Sequence, residues 1–270
     1  MLDDYKIITH DFQVSKIEII PLSDLHIGAK TCLINEIKKV VKYIAETPNV
    51  YCTLGGDIID NAVLVGKNLG MFDVSLTPMQ SIKMAVDILQ PLADNNKILG
   101  CVSGNHEFRS EKVTELNPMY LIARELGIEK IYRRNLAVIK VRLGTKNNNQ
   151  GLGKQQVYTI LLHHGKGTSE SALKKDFEFI NKFEGADIIF TGHTHQGRVA
   201  KQNKKFINKQ SDIVTDREVT AIVSNSFLSD ANYSLENMMV GCNNTVISIP
   251  GIGGREKRII DIKTLSGIIR

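Results

Sequence analysis

Apolar and polar residues along this chain switch between two rhythms. Lys16–Leu22, Val50–Leu54 and Ile98–Val102 are short, β-rich runs that predict strands. Between them, Leu33–Glu46 and Pro78–Ala93 are longer and predict helices. In the second of these, Met79, Ile82, Val86 and Leu89 recur at three- and four-residue spacing as a core stripe, and Pro78 suits the first helical turn. Such alternation predicts βαβ units.

Further along, a helix is predicted over Pro118–Leu126, stopped at Gly127. Apolar runs follow at Leu136–Leu143 and Val157–Leu162, and the polar, Gly- and Asn-rich stretch Lys146–Gln155 between them reads as a hairpin tip. A helix over Ser169–Phe183 and a strand over Asp187–Phe190 come next. Beyond Gly197 the helical rhythm fades, and segments at Glu218–Val223, Thr245–Ile249 and Arg258–Ile262 predict a second, largely antiparallel sheet. The glycines of Gly251–Gly254 lack a strand–turn–helix setting and read as a turn, not a nucleotide loop. No repeat or linker interrupts the pattern, so a single domain is expected over 1–270.

Composition narrows the field. With 270 residues, 42% hydrophobic and 23% charged, the chain can bury a substantial core, which excludes disordered and fibrous classes. No apolar run approaches the ~18–20 residues that cross a bilayer, and Met1–Lys6 lacks a signal pattern, so a cytoplasmic protein with no membrane association is expected. Cys32, Cys52, Cys101 and Cys242 are widely spaced with no C-x-x-C pair and read as reduced thiols. A net charge of +5 permits an anionic partner without demanding one. The five positive charges within Arg198–Lys209 read as a solvated hairpin, with electrostatic steering of a polyanion as the alternative. No partner protein is indicated.

The chemistry lies in the histidines. Six of the seven fall in five short motifs, each following an apolar run: Asp24-Leu-His26, Gly55-Gly56-Asp57-Ile-Ile-Asp60, Gly104-Asn105-His106-Glu107, His163-His164-Gly165 and Gly192-His193-Thr194-His195. A carboxylate and an imidazole two residues apart, just past a strand, can turn toward one cation. Asp57 has two oxygens with which to bridge a second, and Gly55–Gly56 allow close backbone approach. Asn105 adds a neutral oxygen, while His193, His195 and one of His163 or His164 complete the shell. Mixed nitrogen and oxygen donors suit divalent transition ions, and a pair of them polarises a phosphoryl oxygen and acidifies water. In an extended strand His163 and His164 face opposite sides, so only one of them reaches the ions.

In this order the motifs resemble the calcineurin-like metallophosphoesterase superfamily, whose pattern is D-x-H, G-D-x-x-D, G-N-H-E, a later His, and G-H-x-H. The match runs from Asp24 to His195, and Ser224-Asn-Ser-Phe-Leu with the Tyr233 region is similar to phage- and prophage-type members. That resemblance implies an α/β fold, a four-layer α/β/β/α sandwich of two mixed sheets flanked by helices. It also implies two divalent ions, typically manganese, with iron and zinc as alternatives. Asp24, His26, Asp57 and His195 would hold one ion, and Asp57, Asn105, the middle His and His193 the other; the middle His is His164 by similarity to members reading His-Gly, and His163 by similarity to those reading His-His-Pro or His-Gln, with His164 preferred. His106 would act near the leaving-group oxygen, with Asp60 holding its ring. Glu107 would support the site from behind, and Arg109 would contact substrate phosphate or serve as a structural arginine. The implied activity is hydrolysis of phosphate mono- or diesters by a metal-bridging hydroxide, with DNA or a nucleotide among the substrates. The alternatives are a non-catalytic interaction module and a metal-independent nucleic-acid-binding protein.

Overall fold

The computed structural model describes residues 5–61, 75–144, 155–168, 171–207, 214–229, 245–250 and 260–264. In chain order these form β1 (Ile8–Phe12), β2 (Lys16–Leu22), α1 (Ile34–Glu46), β3 (Val50–Leu54), α2 (Pro78–Asp94), β4 (Ile98–Val102), α3 (Asn105–Thr114), α4 (Pro118–Glu125), β5 (Tyr132–Arg133), β6 (Leu136–Leu143), β7 (Gln156–His163), α5 (Ala172–Ile180), β8 (Ile188–Thr191), β9 (Arg198–Ile207), β10 (Val214–Val223), β11 (Thr245–Pro250) and β12 (Asp261–Thr264). Two six-stranded mixed sheets result, in the orders β12-β11-β2-β3-β4-β5 and β1-β6-β7-β8-β10-β9. Among the described residues, no helix is long and apolar enough to cross a membrane.

Strand parity assigns each side chain to a layer. On β2, Ile17 and Ile19 join the core between the sheets, while Ile20 and Leu22 join the core under the helices. That second core is capped by α1, α2 and α4, through residues such as Ile37, Val41, Ile82, Leu89 and Ile122. On the other sheet, Ala137, Ile139 and Val141 of β6 face inward, and Leu136 packs outward against α5, where Ile180 is fully buried. The layers are therefore α/β/β/α. Their helices begin where local chemistry permits: Thr77 caps α2 in a reciprocal box with Gln80, and Asn117 accepts from Met119 and Tyr120 ahead of Pro118 in α4.

Two expectations need correction, and one element was not expected. The C-terminal strands do not build a sheet of their own. β10 runs parallel beside β8, and β11 runs antiparallel beside β2, so each completes an existing sheet whose edge would otherwise leave backbone groups unpaired. Met79 is not in the core stripe: it sits in the first turn of α2 and is 59% exposed, the buried face being Ser81, Ile82, Ala85, Ile88, Leu89 and Leu92. The helix α3 was not anticipated, because it has no apolar stripe and buries only Glu107. Leu136–Leu143 and the following run do pair as a hairpin, with Leu143 opposite Gln156. Most of its tip, the Gly251–Gly254 turn, Tyr233 and Cys242 lie outside the described residues. Cys52 and Cys101 are buried free thiols, and Cys32 is a partly buried one.

The basic segment after the last histidine is a ribbon. β9 pairs with β10 over ten residue pairs, but β8 supports β10 only from Thr220 to Val223. The part from Asn203 and Glu218 outward runs toward the opposite end of β8 from the histidine loop. Lys201 is 2.9 Å from Glu218 and Lys205 is 2.7 Å from Asp216, so two of its cations are neutralised locally.

Candidate metal centre

Parallel strands β2, β3 and β4 in one sheet, and β7 and β8 in the other, all end at the same edge of the sandwich. The loops beyond those ends carry every motif. Asp24 and His26 follow β2, Asp57 and Asp60 follow β3, and Asn105 and His106 open α3 after β4. His164 follows β7, and His193 and His195 follow β8. The carboxyl ends of parallel strands are where α/β sheets place ligands.

These loops turn sharply. Asp24, His26, Asp57, His193 and His195 have φ of 54°, 48°, 51°, 70° and 56°. Left-handed backbone costs a residue with a Cβ ~1–2 kcal/mol. Backbone hydrogen bonds between the loops hold them there, from Asp24 N–H to Gly56 C=O at 3.0 Å, from His26 N–H to Asp57 C=O at 3.0 Å and from Gly192 N–H to His164 C=O at 2.9 Å. Two glycines permit the packing. A methyl group at Gly104 would overlap the Asp57 carboxylate, and one at Gly192 would overlap Ser23 Oγ and the Asp24 carboxylate.

Besides His26, Asp60 and His106, which form a third group at the rim, the donor atoms of the described residues converge in two groups. In the first, His26 Nε2 and His195 Nε2 are 3.1 Å apart, with Asp24 Oδ1 3.3 Å from His195 and 3.9 Å from His26. In the second, Asn105 Oδ1 lies 2.9 Å from His164 Nε2 and 2.7 Å from His193 Nδ1, and Asp57 Oδ2 is 3.2 Å from His164 Nε2. Donors bound at ~2.1 Å to one ion sit ~3.0–3.4 Å apart, so this spacing and this nitrogen–oxygen chemistry fit a divalent cation in each group. The outer imidazole nitrogen of His164 is 2.9 Å from Gly55 C=O, which orients the ring with Nε2 inward.

Electrostatics reflect the same crowding. Burial pushes Asp57 upward, but the charge and hydrogen bond of His164, with His106 and His26, more than offset it and hold the carboxyl well below its usual range. Burial opposes protonation of His164, yet Asp57 outweighs it and lifts the imidazole to about 10. His26 and His193 are lowered, mainly by burial.

His106 stands at the open rim with its side chain 15% exposed, near Asp60 at 17% and His195 at 21%. Its Nδ1 is 2.6 Å from the Asp60 carbonyl and 3.2 Å from Asp60 Oδ1, which places the proton on Nδ1. Arg109 Nη2 donates to His106 Nε2 at 2.8 Å, and Nη1 reaches the Asp60 carbonyl at 3.4 Å. Asp60 Oδ1 is also 3.3 Å from His26 Nδ1, so one carboxylate touches a histidine of the first group and the rim histidine together. His106 titrates above its ordinary value: burial pulls it down, and the Asp60 hydrogen bond and Asp57 charge raise it further than that.

Of the histidine pair, His164 enters the second group and His163 does not. The His163 ring lies 5.4 Å from that of Phe179 on α5, accepts from Gly165 N–H at 2.8 Å, and is driven down to about 4 chiefly by burial. Two residues with no sequence signal also matter. Asn61 donates to His106 C=O at 2.6 Å and accepts from Ser110 at 2.9 Å, fastening the loop after β3 to α3.

A two-sheet sandwich with carboxylates, imidazoles and one amide gathered at its strand ends defines a protein of the α/β/β/α class whose side-chain groups could hold metal ions. Residues 17–197 match the family model of the calcineurin-like phosphoesterases, and the chain belongs to that family. Among solved structures it is similar to GAP50, the anchor in the inner membrane complex of Plasmodium, at 10% identity and a TM-score of 0.50, covering 93% of this chain and 84% of that one. It is also similar to vacuolar protein sorting 29 from Cryptosporidium parvum, at 13% identity and a TM-score of 0.40, covering 93% and 98%. A predicted phosphoesterase from Streptococcus pneumoniae TIGR4 aligns at 11% identity and a TM-score of 0.35, covering 93% and 99%. No curated protein sequence matches the chain.

Proposed function

We propose that this protein is a two-metal phosphoesterase that hydrolyses phosphate mono- or diesters. Asp24, His26, Asp57 and His195 would hold one ion, and Asp57, Asn105, His164 and His193 the other, with Asp57 shared and His163 outside the set. The observation that carries this reading is the convergence of nitrogen and oxygen donors into two adjacent groups at cation-sharing distances. Manganese is the favoured ion, with iron and zinc as alternatives for the same donors. When bound, the ions supply Lewis acidity at a phosphoryl oxygen and lower the pKa of the attacking water.

The chain's own residues would do the rest. His106 keeps Nδ1 protonated against the Asp60 carbonyl, and its Nε2, 3.8 Å from Asp57 Oδ2, would offer a proton to a leaving-group oxygen. Arg109, seated on that nitrogen, would transfer its guanidinium to a substrate phosphate, leaving Nε2 free to carry the proton. Asp60 holds both His106 and His26, so the proton donor and one metal ligand share a support.

A nucleic-acid diester is the finer substrate reading, motivated by the net charge of +5. The basic ribbon adds nothing to it, since two of its lysines are paired with acids and it runs away from the site. A phage- or prophage-type subtype would rest on Ser224–Leu228 and the Tyr233 region; Ser224–Leu228 lies beside the Asp24 loop, with Phe227 N–H bonded to Asp24 C=O at 3.0 Å.

The test is manganese-supplemented hydrolysis of p-nitrophenyl phosphate and bis-p-nitrophenyl phosphate by wild type, Asn105→Ala and His106→Ala. Each variant should lose on the order of 10²-fold or more in kcat/KM. Equal rates in all three preparations would sink the mechanism. Stoichiometric metal binding without turnover would favour an interaction module, and DNA binding that survives chelation would favour a metal-independent nucleic-acid-binding protein.

A further inference from the structure

Glu107 is fully buried, yet it is neither a donor to the two groups nor near the open rim. Its carboxylate collects four backbone N–H groups. Oε2 accepts from Gly104 at 2.7 Å and Asp57 at 2.9 Å, and Oε1 accepts from Ile58 at 2.8 Å and Ile59 at 3.3 Å. Capping α3 would need only the Gly104 bond. The other three come from consecutive residues of a different loop, some fifty positions earlier in the chain.

Burying a carboxylate is expensive unless its lone pairs are satisfied, and here they are met by amides whose own partners it supplies. The first turn of α3 adds the favourable end of its dipole. The loop so gripped is the one that carries Asp57. Its N–H is fixed on Glu107 while its φ is 51°, and its Oδ1 accepts from His106 N–H at 2.8 Å, so Oδ2 is left facing His164. On the loop's other side, Ile27 N–H bonds to Ile58 C=O and Asp60 N–H to Ile27 C=O, so the same grip reaches the segment bearing His26.

We propose that Glu107 is the positioning residue of the centre: through the amides of Asp57, Ile58 and Ile59 it sets the Asp57 carboxylate between the two donor groups, so that one carboxylate serves both ions. This rests on the two-metal reading. It assigns Glu107 no contact with substrate or metal.

The experiment compares wild type, Glu107→Gln and Glu107→Asp, with manganese stoichiometry measured by calorimetric titration and the spin-coupled manganese pair by electron paramagnetic resonance. Gln places an amide N–H against the loop's own N–H groups, and Asp falls short of them. Wild type should bind two ions and show the coupled signal. Glu107→Gln should lose that signal, bind the second ion at least tenfold more weakly, and lower kcat more than tenfold with KM changed less than threefold; Glu107→Asp should be intermediate. A coupled pair at wild-type affinity in Glu107→Gln would overturn the proposal. Should the variants fail to fold, amide exchange in wild type decides it. The amides of Gly104, Asp57, Ile58 and Ile59 should exchange only as slowly as those of central strands, and loop-like rates there would overturn it. Wild type that binds no metal pair would instead refute the two-metal reading, with the exchange measurement still testing the grip itself.

Discussion

His163 and His164 end on opposite sides of one extended run, and that separation has a measurable consequence. Tyr158, Ile160 and Leu162 face the core between the sheets, so position 164 continues on the side where the other donors lie, while Leu161 and His163 face α5. The two-residue period is visible in the sequence, but which face meets the second sheet is not, because both faces of β7 are apolar. His164→Ala should lower kcat/KM by on the order of 10²-fold or more, having removed a donor from the second group. His163→Ala should leave it within about threefold and cost ~1–2 kcal/mol of stability, from the lost ring contact with Phe179 and the unpaired Gly165 N–H. Steady-state kinetics with urea unfolding on both variants checks this, and the reverse ranking would remove His164 from the centre.

Whole elements were legible where burial imposes a period and hidden where it does not. β2, β3, β4, α1, α2 and α4 show it in their apolar spacing, whereas α3 is held by Glu107, Asn61 and Ser110 through hydrogen bonds that leave no hydrophobic trace. α5 has a stripe, but with a carboxyl in it. Asp176 is 6% exposed and accepts from Thr191 Oγ1 at 2.9 Å, and burial raises its pKa to about 6, the hydroxyl bond opposing. Because the folded value lies above the unfolded 3.8, its contribution to stability is intact below about pH 4 and is lost as pH rises through about 6. Asp176→Asn keeps an oxygen for Thr191 and removes the charge. It should match wild type near about pH 4 and exceed it by up to roughly 3 kcal/mol near about pH 8. Denaturant midpoints at the two pH values measure the difference, and a variant less stable than wild type at the higher pH would show that the ionised carboxylate is stabilising.

At the scale of the whole molecule, each donor group draws on both sheets. Asp24 and His26 come from the sheet of β2 and His195 from that of β8; Asp57 and Asn105 come from the first sheet, His164 and His193 from the second. The motif order from Asp24 to His195 foretold that these residues meet, but not that their meeting joins two sheets, because pairing such as β10 on β8 and β11 on β2 depends on edges no local pattern records. Ions bound there would tie the open end of the sandwich together and offset the cost of five left-handed residues. The apolar cores on either side of the β2 sheet do not depend on them, so the metal-free protein should stay folded, at lower stability. Ligand linkage gives ~2.7 kcal/mol per site at a hundredfold excess over Kd, and in a chain of this size each kcal/mol moves Tm by ~2–4 °C. Scanning calorimetry should therefore show a rise of ~10 °C or more between chelated and manganese-saturated protein. His195→Ala should retain about half of it, since only the first group loses a donor. An unchanged Tm on saturation would mean that the donors converge without binding the ions.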